Sequence, residues 1–67
     1  MKLSDLTGNG KISGFSRDAI SERLQNMGCE KGNSVRFILK KGSLCEYRIG
    51  ETLIAIKKED CGGIFVE

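Results

Sequence analysis

The stretch "SERLQNMGCEKGNSVRFILKK", residues 21–41, changes its hydrophobic period part-way along and so sets the order of elements. Ile20, immediately before it, falls at i, i+4 and i+7 with Leu24 and Met27. That is one face of a helix, with Glu22, Arg23, Gln25 and Asn26 pointing elsewhere. Gly28 stands where a helix C-terminus takes a left-handed residue. After Gly32-Asn33 the period becomes two: Val35, Phe37 and Leu39 alternate with Arg36, Ile38 and Lys40, as in a half-buried strand. Cys29, directly after the helix-ending glycine, has two readings. It is either a chemical group, ligand or nucleophile, or a small hydrophobe packed back on the last helical turn.

Outward from this stretch the pattern is mostly β. Upstream, "GKISGF" at 10–15 reads as a first strand with Ile12 as its main apolar contact, and Ser16 or Asp18 supplies a helix N-cap. A helix of about ten residues is too short to stand alone and must lean on a sheet. Downstream, "KKGS" is a turn with Gly42 at its tip. Cys45, Tyr47 and Ile49 then alternate with Glu46 and Arg48 in a third strand. Gly50-Glu51 reverses the chain into "TLIAIKK", with Ile54 and Ile56 inward. "KEDCGG" is a short turn of helical type, and "IFVE" closes with Ile64 and Val66 on one face. Five short strands joined so briefly favour a small bent sheet closed into a barrel, with one short helix between strands 1 and 2.

The 67 residues are expected to form one domain, 1–67. A chain of that size buries only about 60% of its unfolded surface, leaving little room for an enclosed catalytic cleft. No apolar run approaches the ~20 residues that span a bilayer, and "MKLSDLTGNG" lacks a signal-peptide core. The expectation is a cytoplasmic protein that is not inserted in a membrane. Eleven basic and nine acidic residues are interleaved, and the four aromatics are few for a nucleic-acid binder. No stable nucleic-acid partner is expected.

The chemistry-bearing residues are sparse. Histidine is absent, which removes the commonest general base and transition-metal ligand together. No nucleophile elbow, P-loop or dinucleotide fingerprint appears, and "GNGKIS" precedes a strand rather than a helix. Neither an enzyme nor a bound cofactor is expected. Cys29, Cys45 and Cys61 include no CxxC pair, so they make a poor disulfide framework and a poor metal site. Packing suits each better: Cys45 lies on the inward register of its strand, and Cys61 in a turn between apolar strands. Arg36, Lys40 and Arg48 fall on the outward faces of adjacent strands. They are either the wet side of a small barrel, with Glu46 nearby to offset them, or a positive patch for an acidic partner surface or a nucleic-acid backbone.

Taken in order, Leu3, Leu6, Gly14, Arg23-Leu24, Met27-Gly28, Gly32 and Val35, then Gly50, Ile54-Ala55-Ile56, Asp60, Ile64 and Val66, resemble the FeoA family, ferrous iron transport protein A. The match covers essentially the whole chain. The same module resembles the C-terminal domain of iron-dependent repressors, whose DNA-binding and dimerisation domains a 67-residue chain leaves no room for. The resemblance implies an SH3-like β-barrel and an accessory or regulatory role beside a FeoB-type GTP-binding membrane iron transporter. Cys29 stands where the family usually has an aliphatic residue and Cys61 where it usually has alanine, which implies packing for both. "KKGSLCE" is shorter than in many relatives and lacks their usual proline.

The function expected is therefore a protein-interaction module of ferrous iron uptake. Its contact residues are expected to be Leu44 at the Gly42 turn, Arg36 and Lys40 on the outward strand face, and Arg23 on the helix. Two rivals remain open at this stage. One is a transition-metal-binding sensor or carrier, whose binding would be lost with the three cysteines. The other is a nucleic-acid-binding small barrel with steeply salt-dependent affinity.

Overall fold

The computed structural model describes residues 1–16 and 19–67, the side chains of 19–21 excepted. A 3-10 turn at Leu3–Asp5 precedes β1 (Asn9–Phe15), α1 (Ala19–Asn26), β2 (Ser34–Lys41), β3 (Leu44–Ile49), β4 (Thr52–Lys57), α2 (Lys58–Cys61) and β5 (Ile64–Val66). The strands form one sheet in the order β4-β3-β2-β1-β5, each neighbouring pair antiparallel.

β1 serves two partners in succession. Its first half, Asn9 to Lys11, pairs with β2, and its second half, from Ile12 to Phe15, pairs with β5 across an irregularity between Ile12 and Gly14. Both ends of the chain are tied to this region. The Met1 ammonium donates to the Val66 carbonyl at 3.0 Å, and the Val66 amide donates back to Met1 at 2.7 Å. Glu67 and Lys11 exchange two backbone bonds of 2.9 Å.

Helix α1 ends by geometry that the sequence around Cys29 anticipates. Gly28 has φ +105°, its amide donates to Gln25 at 3.0 Å, and the Cys29 amide donates to Leu24 at 3.0 Å. This paired closure is the Schellman arrangement, and its usual companion is an apolar contact between the residues standing where Leu24 and Cys29 stand. Both are buried in the same core. The Cys29 side chain therefore belongs to the helix stop.

Alternation explains the rest of the core. Cys45, Tyr47 and Ile49 of β3, Ile54 and Ile56 of β4, and Ile64 and Val66 of β5 are buried with Leu3, Leu6, Ile12, Leu24 and Val35. The Tyr47 hydroxyl donates to the Leu3 carbonyl at 3.2 Å and lies 3.7 Å from the Cys61 sulfur. Phe37 packs edge-on to Tyr47 with ring centroids 5.8 Å apart.

Two expectations need correction. Met27 is 51% exposed, because the helix ends at Asn26 and the turn at Gly28 brings Cys29 inward in its stead. Leu39 is also exposed, because the register shifts between Phe37 and Leu39: Phe37 opposes Tyr47, but Leu39 opposes Glu46. An extra residue on one strand turns every later side chain to the other face. Helical structure also recurs beyond α1, at the 3-10 turn and as the single turn of α2. Asp18, one of the two expected N-caps, and the side chain of Ile20 lie outside the described residues.

Candidate docking surface

The residues pointing away from the core on β2, β3 and β4 form three cross-strand rows. Arg36, Arg48 and Leu53 make the first, Leu39, Glu46 and Ala55 the second, and Lys41, Leu44 and Lys57 the third. Directly opposed residues of an antiparallel pair share a face, so each row is a line of neighbours. All nine are exposed.

Each expected contact residue has a definite place. Arg36 and Leu44 lie on this face, in its first and third rows. Arg23 is exposed in the last turn of α1, on a different element. Lys40 was expected beside Arg36, and the shift in β2 overturns that: it opposes Cys45, whose side chain points inward. Lys40 remains exposed at the rim and approaches Lys58, whose ammonium lowers its pKa. The sequence reading did not select Leu53 or Lys41, although strict alternation back from Ile54 places Leu53 outward. Lys41 reaches the face only through the bulge, which has no sequence signature here.

Two hollows flank the rows. One, of about 280 Å³, is lined in part by Asn9, Ser34, Arg36 and Arg48. The other, of about 660 Å³, is lined by Ser43, Lys57, Lys58 and Glu59. The Lys58 amide donates to the Ser43 carbonyl at 2.8 Å, fixing α2 against the β2–β3 turn.

The cysteines are free thiols and all buried. Burial pushes the Cys29 thiol up to about 11 and also raises Cys61. Tyr47 is raised by burial and by its contact with Cys61. Thiols raised in this way are poor nucleophiles near neutral pH. Among the described residues, no three side chains of metal-ligating type come together. Nor is any described helix long and apolar enough to cross a membrane.

The family model for the FeoA domain matches residues 1–67. The chain belongs to the FeoA family. Solved structures agree with this FeoA domain in fold. The FeoA of Stenotrophomonas maltophilia, solved with zinc, is 26% identical with a TM-score of 0.87, covering 100% of this chain and 89% of that one. It is described as a prokaryotic SH3 domain protein and a candidate ferrous iron transport activating factor. A FeoA-like protein from Clostridium acetobutylicum (18% identity, TM-score 0.89) covers 100% of this chain and 84% of its own. FeoA from Chlorobium tepidum (22%, 0.89) covers 100% and 69%. No curated protein matches. The fold of this FeoA domain is SH3-like and mainly β.

Proposed function

We propose that this FeoA domain is a cytoplasmic accessory protein of ferrous iron uptake. It acts by docking on the cytoplasmic region of a FeoB-type GTP-binding transporter, not by catalysis. The observation that carries this reading is the family match over residues 1–67. Support comes from the relative described as a candidate activating factor of ferrous iron transport. The absence of a membrane-crossing helix among the described residues is compatible with a partner met from the aqueous side.

On this reading the strands close as a small SH3-like barrel with α1 at its side, and recognition uses the outer face and loops. Leu44 and Arg36 are the central contacts, with Lys40 and Arg23 at the periphery. The test is a double variant, Leu44→Ser with Arg36→Ser, titrated against the transporter's cytoplasmic region. Both side chains are exposed, so the fold should persist while binding weakens. Unchanged binding would remove these residues from the contact.

A further inference from the structure

We propose that the outward face of β2, β3 and β4 is a docking surface for an acidic amphipathic segment of a protein partner. The segment's apolar side chains cover Leu39, Leu44 and Leu53, and its carboxylates meet the cations around them. This deepens the accessory reading and rests on it for the partner's identity, though not for the chemistry of the surface.

The apolar part is continuous across the rows. Leu39 (40% exposed), Leu44 (41%) and Leu53 (62%) are linked through Ala55 by diagonal and same-strand steps of roughly 7 Å. Isolated exposed leucines need no explanation, but several joined on one sheet face mark a contact surface.

The charge is one-sided. Arg36, Lys41, Arg48 and Lys57 surround the leucines, and Glu46 is the single carboxylate among them. These rows hold four of the eleven basic residues and one of the nine acidic ones, so the face is net positive while the rest of the chain is slightly acidic. Arg36 stands directly opposite Arg48, a like-charge pair that disfavours folding and that an incoming carboxylate would relieve. The hollow beside Arg36 and Arg48 has no carboxylate in its described lining and gives an acidic side chain a place to enter, whereas the one beside Lys57 and Lys58 also carries Glu59.

These features select among occupants. A second copy would set these cations against their own counterparts. A nucleic acid would gain from stacking aromatics, and the three rows contain none, since Phe37 and Tyr47 lie edge to face on the opposite side of the sheet. An acidic amphipathic peptide satisfies the leucines and the cations together.

The experiment uses the full chain labelled with 15N. It is titrated with a designed helical peptide bearing one leucine face flanked by glutamates, and with the same peptide carrying lysines for glutamates. The expected result is shifts confined to β2–β4 amides with the glutamate peptide only. Arg48→Glu should weaken this binding at least tenfold, and Leu53→Ser several-fold. Equal binding of both peptides, shifts centred on α1 or β5, or tighter binding of single-stranded RNA or anionic vesicles than of the glutamate peptide would overturn the proposal.

The transporter's cytoplasmic region supplies a second arm. If it binds the wild-type chain and Arg48→Glu/Leu53→Ser equally, the surface is wrong and the accessory reading stands. If the glutamate peptide seats on this face but the transporter region does not bind, the surface stands and the accessory reading fails.

Discussion

Arg36 on β2 lies directly opposite Arg48 on β3, and the row continues to Leu53 on β4. Like charges on directly opposed residues disfavour the isolated chain, and their repulsion is screened by salt. Arg36→Glu should therefore stabilise the free protein by roughly 0.2–1 kcal/mol, from the opposite-charge pair it creates. Urea denaturation at low and high ionic strength tests this. The gain should shrink as salt rises, and a loss of stability at low salt would contradict the assignment.

The stop of α1 predicts a different penalty. Gly28 sits at φ +105°, with open space where a side chain would project, so an added Cβ meets no neighbour and strains only the backbone. Gly28→Ala should cost roughly 1–2 kcal/mol, and Gly28→Asn less, because asparagine tolerates the left-handed region better. Thermal melts of the two variants check the order. Peptide binding to the sheet face should be unaffected in both.

The Tyr47 hydroxyl is the buried polar link between β3 and the N-terminal turn. Tyr47→Phe keeps the ring contact with Phe37 but removes the bond to the Leu3 carbonyl. That carbonyl also accepts from the Leu6 amide at 3.0 Å, so it is not orphaned. The expected loss is about 0.5–1.5 kcal/mol, the net value of one hydrogen bond. A loss of several kcal/mol would mean that the N-terminal turn detaches with it.

Burial of Cys29 makes stability depend on alkaline pH. Its folded pKa is raised from 9.0 to about 11, so between those values the unfolded chain gives up a proton that the folded chain keeps. The contribution is complete below pH 9 and is lost as pH rises through about 11, removing roughly 2 kcal/mol. Cys61, also raised by burial, acts in the same direction. Denaturation midpoints from pH 7 to 11 should fall at the alkaline end, and less steeply in Cys29→Val.

Periodicity made most of this fold legible. Cys45-Glu46-Tyr47-Arg48-Ile49 alternates without a break, and each inward position is buried as the pattern requires. The Gly28 stop and the turn at Gly42 were readable because a positive φ has few residue choices, and both glycines adopt one. The bulge in β2 was not readable. "FILKK" alternates equally well in either register, and only pairing with β3 decides it. That single shift moved Leu39 to the outer face and Lys40 off it. Met27 misled for a related reason: it continues the helical spacing one residue past the point where the chain turns.

The most direct test of the central claim is a binding titration of the purified chain against the cytoplasmic region of the same organism's FeoB-type transporter, with GDP, with a GTP analogue and without nucleotide. The account predicts saturable binding in at least one state, weakened by Leu44→Ser with Arg36→Ser. Absence of binding in all three states would contradict it.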